Sequence, residues 1–108
     1  MSAFIKARLD QKQAELDAVS AEQRANYDAR WAAQHEFDAL REQAKTECPG
    51  NWNTTSKYAQ RLWELIAEIT RYSNRGMWLQ QEMRRIGQEK ADILTVNHLH
   101  DYTAGRLI

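Results

Sequence analysis

The apolar positions divide the chain into two long stretches with helical periodicity. In the second stretch they recur at alternating intervals of four and three residues, which places side chains along one stripe of an α-helix. The stripe runs through Tyr58, Leu62, Leu65, Ile69, Tyr72, Gly76, Leu79, Met83, Ile86, Lys90, Ile93, Asn97 and His100. Because the register does not change, we predict one helix over about residues 55–98, followed by a frayed tail over 99–108.

The first stretch carries a matching stripe and has no helix breaker. Neither Pro nor Gly occurs between Ser2 and Glu47, and good helix formers such as Ala, Gln, Glu and Arg dominate. We therefore predict a helix over about residues 2–47. Its stripe is apolar at both ends and polar in the middle, and consists of Ile5, Leu9, Lys12, Leu16, Val19, Gln23, Asn26, Arg30, Ala33, Phe37, Leu40 and Ala44.

A turn over residues 48–54 separates the two predicted helices. Pro49 disfavours helical backbone at Cys48, and Gly50 permits left-handed backbone. A second possible break is Gly76, inside the second stripe. The unchanged register favours a continuous helix there, but whether the helix breaks at Gly76 is left undecided by the sequence.

The two stripes match when the chain folds back at this turn. One antiparallel register sets Leu9 opposite Ile93, Leu16 opposite Ile86, Val19 opposite Met83, Phe37 opposite Leu65 and Leu40 opposite Leu62. It also places Asn26 opposite Gly76 and Lys12 against Lys90. We therefore predict a single all-α domain over 1–108, a long antiparallel helical hairpin resembling a coiled coil.

Two helices bury one stripe each, and the sequence has more apolar surface than that. We expect two hairpins to pair into a four-helix bundle, making the protein a homodimer. Two surfaces compete for this role. One is the apolar flank of the stripes, with Trp63, Ile66, Met77, Ala91 and Leu94 on the second helix, and Tyr27 and Trp31 to one side of the stripe on the first. The other is a row of small residues on the first helix, formed by Ala7, Ala14, Ala18, Ala21, Ala25, Ala32 and Ala39.

Charge and cysteine content narrow the classes of partner. The 15 basic and 15 acidic residues balance, so the chain lacks the net positive charge on which most nucleic-acid binding depends. It has one cysteine and no apolar run long enough to span a bilayer. We expect a cytoplasmic protein that does not bind membranes.

Candidate catalytic chemistry is sparse, and we predict no catalytic residue, metal site or cofactor. His98 and His100 do not share a helix face, and Cys48 has no activating neighbour in sequence. The segment from Glu89 to Asp92 resembles the second metal-binding element of all-α, magnesium-dependent nucleotide pyrophosphohydrolases of the MazG type. Glu64 and Glu68 are spaced four apart where that family has three. This resemblance implies nucleotide hydrolysis as an alternative function.

A second alternative is weak nucleic-acid binding through the region from Arg71 to Arg85. Arg71, Arg75, Arg84 and Arg85 lie here near Trp78. Glu82 dilutes this positive charge, and Arg84 and Arg85 point to different sides of a helix. A solvated face or pairing between helices accounts for these arginines better.

The aromatic residues are the best indication of function. Trp and Tyr often anchor protein interfaces, and the candidate interface residues are Tyr27, Trp31, Trp52, Trp63 and Trp78. Alternatively, Trp52 caps the turn, and Trp31 and Trp78 bury against each other or against a dimer mate. The leading hypothesis is a non-enzymatic module for protein–protein interaction: an adaptor, an assembly factor or an inhibitor. Such a module would suit an accessory protein of a phage or another mobile element.

Overall fold

Two long helices form the protein: α1 (Ala3–Glu47) and α2 (Ala59–Leu107). The computed structural model describes the backbone of residues 2–54 and 57–107 and the side chains of residues 2–54 and 57–98. No strand occurs in these ranges. The prediction of an all-α helical hairpin is confirmed.

Ser2 fixes the start of α1. Its hydroxyl accepts a hydrogen bond from the Ile5 N–H at 3.1 Å, and its carbonyl accepts one from the Lys6 N–H at 3.0 Å. Both bonds satisfy amide groups that have no partner inside the first helical turn. At the other end, Lys45 places a positive charge in the last turn, where it complements the helix dipole.

The turn uses Gly50 to reverse the chain. Gly50 has φ of 92°, in the left-handed region that favours glycine. Hydrogen bonds from the Asn51 N–H to the Cys48 carbonyl (3.3 Å) and from the Thr54 N–H to the Asn51 carbonyl (3.2 Å) continue the turn. Thr55 and Ser56, where we predicted the next helix to start, lie outside the described residues.

The bounds of α2 differ from those predicted. The helix begins at Ala59 and continues without interruption through Gly76 to Leu107, beyond the predicted end near residue 98. No Pro follows Pro49, and a single helical Gly such as Gly105 costs only about 1 kcal/mol relative to Ala. The open question of a break at Gly76 is thus decided in favour of continuity.

The contacts divide the chain into two units. The turn unit comprises Gln23–Trp78, and the terminal unit comprises residues 1–22 and 79–108. Each unit pairs a segment of α1 with a segment of α2. Buried apolar residues of the turn unit are Ala33, Ala44, Ala59, Leu62 and Leu65; those of the terminal unit are Leu79, Ile86 and Ile93.

The predicted stripes form the seam between the helices, meaning the row of positions where α1 and α2 face each other. Apart from Arg30, which is exposed, every seam position with a described side chain is buried or half-buried. His100 lies outside the described side chains. The four largest fully buried side chains, Leu62, Leu65, Leu79 and Ile86, all belong to α2.

A polar layer interrupts the seam of the turn unit. The Asn26 amide donates a hydrogen bond to the Tyr72 carbonyl at 2.8 Å, and the Gln23 amide donates one to the Gly76 carbonyl at 3.4 Å. A Cβ on Gly76 would lie 3.3 Å from Asn26 Nδ2, a tight contact. Asn26 therefore faces Gly76 as predicted, and glycine leaves room for the amide.

The predicted clash of Lys12 with Lys90 is avoided in the terminal unit. The Lys12 ammonium bonds to Glu89 at 2.5 Å and to Glu15 at 3.2 Å. The Lys90 ammonium donates to the Gln13 side-chain oxygen at 2.5 Å. Each ammonium thus has an oxygen acceptor close by, which offsets the like charge in the seam.

We expect the seam to dominate stability. Replacing the fully buried Leu65 by Ala should lower the free energy of unfolding by about 2–5 kcal/mol, because it removes apolar contacts and leaves a cavity. Leu94→Ala is the matched control, since that side chain is 43% exposed. Urea unfolding followed by circular dichroism measures both, and equal losses would contradict the assigned seam.

The close approach at Gly76 predicts non-additive behaviour. In an Asn26→Ala background, Gly76→Ala should stabilise the protein by about 1 kcal/mol, the usual gain from removing a helical glycine. With Asn26 present the gain should be smaller or absent, because the new methyl group meets the amide. Urea unfolding of the four proteins of this double-mutant cycle gives the coupling directly. A gain that is equal in both backgrounds would show that Asn26 does not face Gly76.

Candidate functional site

The seam gives the turn unit two different sides. A residue directly after a seam position is rotated about 100° to one side, and a residue directly before it is rotated to the other. In an antiparallel pair, the residues that follow seam positions on both helices share one side. Glu36 precedes Phe37 and Arg61 precedes Leu62, and the Glu36–Arg61 ion pair across the helices shows that the preceding residues meet.

Arg61 organises the side formed by preceding residues, which we name the charged side. Its guanidinium contacts Glu36 at 2.5 and 3.0 Å, and Glu68 and Glu64 at 3.1 and 3.4 Å. The hydrogen bonds from Arg61 hold the pKa of Glu36 below its usual value, and the same contacts raise the pKa of Arg61. Such exposed pairs add only modestly to stability, but they gather three carboxylates around one guanidinium on this side of the unit.

The opposite side of the turn unit carries large apolar side chains in water. Each directly follows a seam residue, and we name the set the aromatic face. The members and their exposed fractions are Tyr27 (65%), Trp31 (57%), Trp63 (56%), Ile66 (39%) and Met77 (63%). Single exposed apolar side chains are ordinary on protein surfaces, whereas five on one side of a small unit make that side a candidate interaction surface.

Three hydrogen-bond donors on the side of the aromatic face have partners inside the chain. The Trp63 indole N–H donates to the Asn53 carbonyl at 2.9 Å. The hydroxyls of Thr70 and Ser73 donate to carbonyls one turn earlier in α2, at 2.8 and 2.9 Å. A surface that covered the face would therefore leave these three donors hydrogen-bonded.

Three of the five predicted interface residues converge on the aromatic face: Tyr27, Trp31 and Trp63. Trp78 precedes the buried Leu79 and lies on the charged side, where the Arg75 guanidinium sits 4.5 Å from its ring centre. The ring of Trp31 instead contacts His35, with centroids 3.8 Å apart. The alternative in which Trp31 and Trp78 bury against each other in one chain does not hold.

Trp52 has a separate setting in the turn. It is half-buried, and the Lys45 ammonium lies 5.5 Å from its ring centre.

Ile66 and Met77 belong to the predicted apolar flank but are not among the five interface residues predicted from the sequence. Their position directly after a seam residue is the signal that identifies them.

The competing row of alanines is exposed along its whole length. Ala7, Ala14, Ala18, Ala21, Ala25, Ala32 and Ala39 all face solvent. Methyl groups supply little apolar area, and Ala is common on solvated helix faces because it is the best helix former. The apolar area that needs a partner in the turn unit is therefore on the aromatic face.

The carboxylates that suggested metal binding are engaged by other side chains. Glu64 and Glu68 contact Arg61, and Glu89 contacts Lys12 and Arg85. Asp92 accepts a hydrogen bond from an amide side chain at 2.9 Å. Within residues 2–54 and 57–98, no three His, Cys, Asp or Glu side chains are grouped to hold a metal ion.

The remaining candidates for chemistry lie apart. His35 and His98 are exposed, whereas His100 lies outside the described side chains. Cys48 is half-buried and forms no disulfide.

The arginines considered for nucleic-acid binding have different surroundings. Arg85 contacts Glu82 at 2.7 Å and Glu89 at 2.6 Å. Arg75 lies against Trp78, whereas Arg71 and Arg84 are exposed.

In the described part of the chain, neither helix has an apolar stretch long enough to cross a membrane. Comparison with protein-family models, with curated proteins and with solved structures finds no match to this chain.

We expect acid to weaken the charged side. The pKa of Glu36 is lowered in the fold from 4.5 by Arg61, so the pair's contribution is present above pH 4.5 and is lost as the pH falls through the folded value. The difference in unfolding free energy between wild type and Glu36→Gln should therefore shrink from about pH 6 to about pH 3. Asp10→Asn, at an exposed position with no ion pair among the described residues, is the control. A pH-independent difference for Glu36→Gln would contradict this assignment.

Proposed function

We propose that the protein is a non-enzymatic protein–protein interaction module whose binding surface is the aromatic face. In this role it acts as an adaptor, an assembly factor or an inhibitor. The observation that carries the proposal is the exposure of Tyr27, Trp31 and Trp63 on one side of the turn unit, together with Ile66 and Met77. Tryptophan and tyrosine are the residues that most often supply the binding energy of protein interfaces.

The geometry of the face favours a helical partner. Two antiparallel helices present two rows of side chains with a shallow depression between them, and an apolar helix or helix pair fits such a surface by packing ridges into grooves. The satisfied hydroxyls of Thr70 and Ser73 and the satisfied indole N–H of Trp63 support burial against an apolar partner.

We also propose a cytoplasmic location and an accessory role of the kind that small proteins of phages and other mobile elements have. The balanced charge and the single cysteine of the chain support this view. The proposal involves no cofactor, no membrane and no nucleic acid.

Site-specific photo-cross-linking tests the proposed function. A benzophenone amino acid placed at Trp31 or at Trp63, in the cells where the protein naturally occurs, should cross-link to a protein that mass spectrometry identifies. The same probe at Trp78 is the matched control, because that residue is 48% exposed but lies on the charged side. We expect products from the first two positions and little from the third. If neither Trp31 nor Trp63 yields a cross-linked protein, the proposed function is wrong.

A further inference from the structure

We propose that the occupant of the aromatic face is a second copy of this chain, related by a two-fold axis that crosses the hairpin near Trp31 and Thr70. The two turn units then pair face to face with their turns at opposite ends, and their four helix segments form an antiparallel bundle. This inference rests on the proposed function and names the partner of the same surface.

The first argument is a charge pattern on α1 that is complementary to itself. Arg24, Trp31 and Asp38 are seven residues apart, and each directly follows a seam position, so all three lie on the side of the aromatic face. Reversing the direction of α1 about Trp31 exchanges Arg24 with Asp38. An antiparallel second copy therefore sets Arg24 of one chain opposite Asp38 of the other, and it does so twice.

The state of these two charges agrees with such pairing. Arg24 is exposed, and no carboxylate within the described residues forms an ion pair with it. Asp38 accepts a hydrogen bond from Gln34 at 3.0 Å and lies 3.6 Å from the Arg41 guanidinium. Its carboxylate has further acceptor sites for the Arg24 guanidinium of a second copy.

The second argument is the matching of sizes on α2. Trp63, Thr70 and Met77 have the same seven-residue spacing and lie on the same side. Reversal about Thr70 sets Trp63 of one copy against Met77 of the other, and a flexible thioether packs well on an aromatic ring. Thr70, the smallest of the three, falls on the axis beside the bulky Trp31.

One axis can serve both helices because Trp31 and Thr70 lie at similar levels along the turn unit. Asn26 contacts Tyr72 on one side of this level, and Glu36 contacts Arg61 on the other. These contacts place Trp31 and Thr70 within about one helical turn of each other. The reversal on α1 and the reversal on α2 are thus the same rotation.

The third argument is area. Fully covered aromatic side chains bury about 150–250 Å² each, so the exposed parts of the five side chains on the aromatic face sum to roughly 600 Å². Two copies would together bury about 1,200 Å², which reaches the lower limit for specific, stable interfaces.

Solution mass and one pair of aromatic variants test the inference. Light scattering and sedimentation of the full chain should give twice the 12.6 kDa chain mass. Trp31→Ala should weaken association by at least about tenfold, as expected for an aromatic anchor at an interface centre. Trp78→Ala should leave the dissociation constant unchanged. A wild-type monomer, or a dimer that is insensitive to Trp31→Ala, overturns the inference.

A charge exchange tests the orientation of the two copies. Asp38→Arg and Arg24→Asp should each weaken the dimer by about three- to tenfold, because each sets like charges opposite one another. The double variant should restore association, since the two charges are then simply exchanged. A purely internal role of Asp38, through Gln34 and Arg41, predicts no such rescue. Circular dichroism melting of each variant establishes that it is folded, and a folded double variant without rescue overturns the two-fold arrangement.

The two proposals can fail separately. A monomer whose Trp31 probe cross-links to a different protein overturns the second copy as occupant and leaves the interaction function standing. A chain that neither dimerises nor cross-links from Trp31 or Trp63 overturns both.

Discussion

A pair of helices that pack only against each other can bury one stripe of each, and this constraint governs the surface of the protein. The seam covers residues such as Leu62 and Leu65 completely. Bulky side chains one position away from the seam are covered on one edge only, whatever their chemistry. Large apolar side chains at those positions, such as Trp31 and Trp63, must therefore face water until another surface covers them.

Register decides which exposed side chains lie at the same level, and the polar layer restricts the register. Sliding α1 along α2 would separate Asn26 from the Tyr72 carbonyl and from Gly76, leaving a half-buried amide without its partner. A polar side chain in an otherwise apolar seam lowers stability but disfavours other alignments. The level of Trp31 relative to Thr70 along the helices thus depends on the position of Asn26.

The polar side chains on the two sides of the turn unit have different kinds of partner. Arg61 draws Glu36, Glu64 and Glu68 together on the charged side. Ion pairs of this exposed kind keep a surface hydrated at small energetic gain. On the other side, the hydroxyls of Thr70 and Ser73 bond to their own helix instead, so burying them would leave neither without an acceptor.

The sequence alone determined the two helices, the turn at Pro49 and Gly50, and the seam, because apolar spacing and helix breakers act locally and need no partner to be interpreted. It also placed Asn26 opposite Gly76, since one antiparallel register satisfies both stripes. The sequence also placed Trp63, Ile66 and Met77 on one flank of the second stripe, and Tyr27 and Trp31 beside the first stripe. That these two flanks share one side of the turn unit, and how far each side chain is exposed, depends on the packing of the helices. The same dependence explains Lys12 and Lys90, whose apparent repulsion disappears once Glu89 and Gln13 are placed beside them by the packing of the helices.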